Sequence, residues 1–384
     1  MKTPLLIIGA GPFGLAAAAA ARQAGVEYLI VGIPMSFWHA HMPDGMILRS
    51  DCDWHLDPDN IHTIEAFLQT RHQVPADVEP LSIEFYREYA SWFQREKKIE
   101  VTPASVLRLD QASADGYRYV ARLEDGGSIA ARNVLVAVGF EYFKKLPNEL
   151  IALLPAGRFS HTCDLVDFSG LAGRSCLIVG GRQSAFEWAA LIAEKGASNV
   201  HVCHRHESPS LEASDWSWVA AMLDEIERNP GWLRNMSAEE RRELDRRFWQ
   251  EGRLRLEPWL KPRVERASIS LWPNRQVVAS HGSSDGRLVV SLDSGDALTV
   301  DHVVLATGYE VDVGRVPFLA DGNLLHEMKT TDGNPVLDES LQSSLPGLYL
   351  TSMMATRDFG PFFAFTVAAR AAARIAMGAI ARSS

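Results

Sequence analysis

Cysteine is scarce in this chain. The four residues, Cys52, Cys163, Cys176 and Cys203, are widely separated and include no C-x-x-C pair. That spacing excludes a disulfide framework, a zinc ribbon and a thioredoxin-type redox motif, and free thiols fit a reducing cytoplasm. Long uninterrupted apolar runs are missing as well. The longest apolar stretches, residues 15–21 and 362–381, are rich in alanine, and Arg370 and Arg374 break the second. Neither reads as a membrane span. The early apolar run over residues 5–8 is too short for the core of a secretion leader, so a cytoplasmic location is expected. Basic residues are outnumbered, with 38 Lys and Arg against 48 Asp and Glu and a net charge of −10. Such a balance repels phosphate backbones and argues against a dedicated nucleic-acid binder. No Ser-His-Asp order, paired-carboxylate motif or cluster with metal-ligand spacing is visible, and no metal centre is expected.

What remains is ordinary globular composition, 47% hydrophobic and 22% charged, in a chain of 384 residues. That length fits two domains or three. Residues 4–32 read strand, tight turn, helix, strand: a short apolar run, Gly9-Ala10-Gly11-Pro12-Phe13-Gly14, an alanine-rich helix and a second apolar run. This is a βαβ opening on a parallel sheet. The same opening recurs at residues 175–195, with Gly180 lying 171 residues after Gly9. That distance is too long for a solenoid repeat and predicts two related nucleotide-binding domains of the α/β class. Residues 34–75 carry many Trp, His, Asp and Pro without periodicity, and a structureless stretch of that size is usually functional. Residues 207–262 are rich in Trp and charge, with a helical pattern and no strand signal, and read as a helical insertion. A last helix is expected from about residue 361 to 381.

The first glycine turn has each part that phosphate binding requires. Gly9 permits the tight turn, Gly11 lets the backbone approach a pyrophosphate, and Gly14 lets helix pack on strand. Pro12 and Phe13 open the helix, whose positive N-terminal end faces the phosphates. The acidic residue that usually ends the second strand and holds the ribose is replaced by Val31-Gly32-Ile33. The second turn is looser. Gly180 is its first glycine, Arg182 takes the place of the second, and Gln183, Ser184 and Ala185 begin the helix. Arg205 follows the next strand, where an arginine can pair bidentately with a 2′-phosphate, flanked by His204 and His206. The other reading of Arg205 is a surface residue beyond an edge strand.

Together, Gly9 to Gly14, Gly180 to Ala185 and Leu305-Ala306-Thr307-Gly308-Tyr309 resemble the class B flavin-dependent monooxygenases. That group holds the flavin-containing, Baeyer–Villiger and N-hydroxylating enzymes. The resemblance spans nearly the whole chain, which is shorter than most members. It implies two Rossmann-like dinucleotide-binding domains. Residues 1–150 and 303–384 would form a discontinuous FAD-binding domain. Residues 151–302 would form the inserted NAD(P)H-binding domain, with a helical insertion at about 207–262. Gly139, in Ala137-Val138-Gly139, and Thr307 with Gly308 match the two crossings between domains. Gly157 and His161 keep the spacing of the linker fingerprint F-x-G-x-x-x-H, with Pro155 and Leu165 in place of its aromatics. His161 alone also reads as a capping or core histidine.

The resemblance also supplies candidate catalytic residues. Baeyer–Villiger enzymes carry Asp two residues after Arg where this chain has Arg49 and Asp51, so Asp51 is expected to face the flavin. Its alternative is a solvated loop carboxylate among Asp53, Asp57 and Asp59. Trp38 and Trp54 either stack on a cofactor ring or anchor the loop. Phe359 and Gly360 open the last helix, whose N-terminus points at the flavin in such proteins, although the usual Gly-Asp before it is Thr351-Ser352 here. The implied activity is an FAD- and NADPH-dependent monooxygenase, with NADH as the alternative donor. Its C4a-(hydro)peroxyflavin would oxygenate a small molecule at N or S or beside a ketone, with O₂ as co-substrate. Two other readings stay open. One is an NAD(P)H:acceptor oxidoreductase or oxidase of the same fold without a stable peroxyflavin, and the other a non-catalytic FAD-binding redox sensor. The disulfide-reductase branch lacks its cysteine pair. Trp216, Trp218, Trp232 and Trp249 read either as the lining of a substrate lid or as packing of an exterior decoration. A homodimer is compatible with all of this.

Overall fold

Strand β1 (Lys2–Ile8) runs through the turn at Gly9 into helix α1 (Pro12–Gln23), and β2 (Tyr28–Val31) returns beside β1 in parallel. The computed structural model describes residues 1–114 and 116–383. Residues Leu5 to Ile8 are buried on both faces of the sheet, which is why this strand reads as an unbroken apolar run. Helix α1 is buried along nearly its whole length, because it lies between that sheet and the C-terminal helix α5 (Ala369–Ser383). Alanine on both helices lets their axes approach closely. The alanine-rich stretches are thus a helix–helix seam, and among the described residues no helix is long and apolar enough to cross a membrane.

The first sheet orders its strands β3 (Val101–Thr102), β2, β1, β6 (Ser128–Val136), β5 (Tyr117–Leu123), β4 (Val106–Ala114). Its parallel half is β3, β2, β1 and β6, while β4, β5 and β6 form an antiparallel meander. The late strand Leu348–Leu350 pairs in parallel with the second half of β6, so the chain ends in the unit where it began.

The second sheet is parallel throughout. Its order is β10 (Ile269–Pro273), β9 (Asn199–His204), β8 (Ser175–Val179), β11 (His302–Leu305), β7 (Phe159–His161). Helix α2 (Gln183–Glu194) packs against β8 and β9, and an antiparallel three-stranded sheet over residues 277–300 shares a core with Leu177, Val303 and Leu305. The return to the first unit expected at residue 303 is displaced. β11 pairs on both sides within the second sheet; the chain re-enters the first core from Val311 and adds a strand to the first sheet at Leu348.

The insertion holds helices α3 (Ser217–Arg228) and α4 (Ala238–Arg253). It also contains a strand pair missed in the sequence, Ser210–Leu211 with Arg255–Leu256, too short to leave a periodic signal. Val219, Met222, Leu223 and Ile226 of α3 join the core of the first unit, where α3 packs on α5. An element that branches from the second unit therefore covers the first. The last helix also differs from expectation: two 3₁₀ turns, Pro361–Ala364 and Thr366–Ala368, precede α5. Phe365 between them is extended (φ −114, ψ 160), because Phe362 and Phe363 are driven into the core before the helix can start.

Candidate cofactor sites and the cleft between the units

The three glycines of the first turn do different jobs. A Cβ on Gly9 would lie 2.4 Å from the carbonyl oxygen of Ala137, and one on Gly14 only 1.8 Å from that of Gly9. Both positions are closed by backbone. At Gly11 a Cβ would meet nothing within 4 Å. That side of the turn is open, and no side chain caps the first turn of α1. Its free amides and the helix dipole suit a diphosphate there. Pro12 sits at the first helical position and Phe13 is buried beneath the turn. Across the same strand ends lies Thr351, whose amide donates to the Val136 carbonyl and whose buried Oγ1 has no protein partner. An open glycine and an orphaned hydroxyl on one edge fit a dinucleotide. At the end of β2, Ile33 is 58% exposed, and the strand end itself, Val31-Gly32-Ile33, carries no acid.

The second turn repeats the arrangement. A Cβ on Gly180 would lie 2.4 Å from the Ala306 carbonyl, as Gly9 meets Ala137. The segments Ala137-Val138-Gly139 and Ala306-Thr307-Gly308 are thus equivalent supports, one per unit. Gly181 is a close-packed glycine as well: a Cβ there would be 2.5 Å from His204 Cβ. Arg182 is the N-cap residue of α2, with its guanidinium 4.8 Å from the Trp249 ring. Gln183 Oε1 accepts from Glu257 N at 3.4 Å, while its buried Nε2 has no partner. Ser184 is exposed and Ala185 buried. Burial lowers the His204 pKa, against the opposing effect of the bond to the His206 carbonyl. His204 Nδ1 donates to the His206 carbonyl at 2.9 Å, leaving a buried, unpartnered Nε2. Arg205 is exposed just beyond.

The loop over residues 34–75 is not structureless. It contains helices Ser36–Ala40 and Ile64–Thr70, and Asp57 organises its centre by accepting from the amides of Asp59, Ile61 and His62. Burial alone would raise the Asp57 pKa, but those bonds and the Lys97 ammonium at 2.6 Å bring it below the usual carboxylate range. Arg370 donates to the Asp53 carbonyl and reaches His55, and Arg374 donates to the Pro58 carbonyl, so α5 pins the loop. Trp54 is buried as a loop anchor. Trp38 is half-buried, stacked 4.8 Å from Tyr86, and its carbonyl accepts from Arg87.

Arg49 and Asp51 part company here. The Arg49 guanidinium donates to Glu257 Oε1 (2.8 Å), the Gly252 carbonyl (3.0 Å) and Ser214 Oγ (2.5 Å), and it lies 5.0 Å from the Trp216 ring. Its donors are committed to the insertion, so the catalytic role expected for Arg49 gives way to a bracing one. Asp51 is solvent-accessible yet crowded by protein. Partial burial, then Asp53, Glu79 and Glu257, raise its pKa to about 6. Phe359 is core, and a Cβ on Gly360 would face Leu233 of the insertion at 3.6 Å. They do not open the last helix, which starts at Ala369.

The linker residues hold the units together. His161 is buried, its Nε2 donating to the Gly308 carbonyl at 3.1 Å and its Nδ1 accepting from Cys163 N. Thr307 Oγ1 donates to the Lys145 carbonyl, and Gly157 turns the chain with φ +77. A loop-to-linker bond, His41 Nδ1 to the Cys163 carbonyl at 2.7 Å, adds a further tie. Trp216 and Trp218 meet Phe362 edge-on, and Trp232 also packs on the first core, so these three are packing residues. Trp249 is 44% exposed.

The sequence profile described as pyridine nucleotide-disulphide oxidoreductase matches residues 6–246, more than half of the chain. The chain belongs to that family. Like its other members, it is an oxidoreductase of the two-dinucleotide-domain type. The FAD-dependent urate hydroxylase of Xanthomonas campestris pv. campestris is 28% identical over 120 residues, 30% of this chain and 25% of that protein. The ferredoxin–NADP reductase of Burkholderia vietnamiensis is 31% identical over 218 residues, 56% of this chain and 54% of that one. The chain thus spans between a quarter and about half of the length of these relatives. Over its full length it superposes on the ornithine N-hydroxylase of Kutzneria sp. 744, solved with reduced FAD, NADP⁺ and L-orn, at TM-score 0.80, 15% identity and 100% coverage of both chains. At that identity the likeness establishes the fold, which is that of the N-hydroxylating flavin monooxygenases.

Proposed function

We propose that this family member is an FAD- and NADPH-dependent monooxygenase of a small molecule, acting on a soft nitrogen or sulfur nucleophile. The observation that carries the reading is the pair of glycine turns, the first of them open at Gly11, on a fold shared over its full length with an N-hydroxylase. FAD would supply hydride acceptance and O₂ activation. The chain's own part is to bind, orient and exclude water. The open backbone at Gly11 and the α1 N-terminus hold the first dinucleotide's diphosphate, with Thr351 Oγ1 and the half-buried Trp38 on the same side. The turn at Gly180 and Arg205 take NADPH, Arg205 through the 2′-phosphate. Asp51, with a pKa near 6, holds or releases a proton close to working pH and orients the nicotinamide amide.

A second reading, an NAD(P)H:acceptor reductase, is favoured by the match to a ferredoxin–NADP reductase over 56% of the chain. Disulfide reduction is not. All four cysteines are free and buried, and burial first of all raises their thiol pKa values to about 11 or 12. The test is to mix the NADPH-reduced holoenzyme with O₂ and candidate amines, thioethers and ketones, and to count oxygenated product against H₂O₂. A monooxygenase couples NADPH use to product. An enzyme that reduces only ferredoxin or quinone, and makes no product with any class, belongs to the second reading.

A further inference from the structure

Helix α4 ends at Arg253, which is half-buried and has no carboxylate partner among the described residues. It lies 5.1 Å from the Phe248 ring. Burial first, then the like charges of Arg182 and Arg49, lower its pKa to about 10. Arg182, at the N-cap of α2, is also half-buried without an acidic partner, and its pKa is lowered by burial and by Arg205. Cations gathered in this way repel one another and lose hydration, a cost that persists only where an anion offsets it. The surroundings are built to keep them there. Arg49 holds the carbonyls of Glu251, Gly252 and Arg255, fixing the end of α4. Beside them, Gln183 Nε2 is a buried donor with no protein partner at the same turn, and the amides that open α2 have no side-chain cap.

We infer that Arg253, delivered by the insertion, and Arg182 together grip the diphosphate of the nicotinamide dinucleotide. The insertion thereby completes the second dinucleotide site rather than serving only as a cover for substrate. The planar forks suit two phosphate groups side by side, and the α2 N-terminus adds amides to the same anion. Arg205, beyond β9, is left for the 2′-phosphate. The inference rests on the second unit's binding of a nicotinamide dinucleotide, as proposed above.

The test is calorimetric titration of the FAD-loaded full chain with NADP⁺, ADP-ribose and 2′-AMP, for the wild type, Arg253→Ala, Arg253→Lys and Arg205→Ala. Arg253→Ala should weaken NADP⁺ and ADP-ribose alike, roughly ten- to hundred-fold, and leave 2′-AMP unchanged. Arg253→Lys, which keeps charge and helix packing, should fall between. Arg205→Ala should weaken NADP⁺ and 2′-AMP and spare ADP-ribose. Wild-type affinity for ADP-ribose in both Arg253 variants overturns the inference while leaving dinucleotide binding standing. A raised KM for an anionic substrate with unchanged ADP-ribose affinity also overturns it, and assigns the cluster to that substrate. A wild type that binds neither NADP⁺ nor ADP-ribose removes the dinucleotide reading of the second unit itself.

Discussion

Arg49 Nε donates to Glu257 Oε1 at 2.8 Å, so a loop of the first unit braces the base of an insertion that branches from the second. Two residues on, Asp51 has no such partner among the described residues and sits instead among Asp53, Glu79 and Glu257. The Arg-x-Asp spacing therefore separates a strut from a titrating acid. Truncating Arg49 would disturb the insertion, whereas truncating Asp51 tests chemistry.

Exchange of Asp51 for Asn is expected to leave fold and FAD content intact while more NADPH oxidation ends as H₂O₂. Loss of one charged hydrogen bond corresponds to about 1.5–3 kcal/mol, or roughly ten- to hundred-fold in the affected step. Because the pKa is raised to about 6, the wild-type carboxylate loses its charge as pH falls through that value. Coupling should fall with it, and the Asn variant should show no such inflection. Peroxide assays from pH 5 to pH 8 decide the point. Equal coupling at every pH would make Asp51 a plain solvated acid.

The two glycines of the first helix start should fail in different ways. Gly14→Ala places a Cβ 1.8 Å from the Gly9 carbonyl and should lower Tm or prevent folding, as overpacked backbone does. Gly11→Val meets open space and should fold normally by circular dichroism, yet purify colourless because the side chain fills the approach to the diphosphate. A yellow, fully loaded Gly11→Val protein would remove the first-turn assignment.

Arg205→Ala should raise the KM for NADPH about 10-fold or more and leave NADH unaffected, since a charge-assisted bidentate pair contributes roughly 1.5–3 kcal/mol. Steady-state kinetics with both donors read this directly. A matched loss for NADH means that Arg205 does not read the 2′-phosphate.

Glu187 on α2 makes a prediction about stability. Its carboxylate is fully buried, accepts from Ile47 N at 3.3 Å and from Arg263 at 2.9 Å, and leaves Oε2 unpartnered. Burial, only partly offset by Arg263, raises its pKa to about 7. A raised folded-state pKa means that the folded chain holds the proton more tightly than the unfolded chain does. The contribution is present in full below the unfolded carboxylate range and is lost as pH rises through about 7. Wild-type Tm should therefore drop between pH 5 and 8 relative to Glu187→Gln, in which Arg263 keeps Glu194 as a partner. Parallel pH profiles of the two proteins would show that this carboxylate is not desolvated.

Both βαβ openings were legible in the sequence because they are local. A glycine turn between an apolar run and a helix former states its own geometry within about 20 residues, and backbone contacts at Gly9, Gly14 and Gly180 follow from that pattern. What the tertiary structure alone decided lies between segments far apart in the chain. Arg49 meets residues some 200 positions away, and its neighbours in sequence gave no sign of that. β11 looked like the start of the returning unit, but its partners are β7 and β8, and strand pairing has no signature in one strand. The start of α5 moved to Ala369 because Phe362 and Phe363 bury into a core that only the assembled units create. Arg253 reads as a solvated arginine at the end of a charged helix. Only the tertiary structure half-buries it, sets Arg182 and Arg49 near it, and turns an ordinary surface charge into a candidate anion ligand.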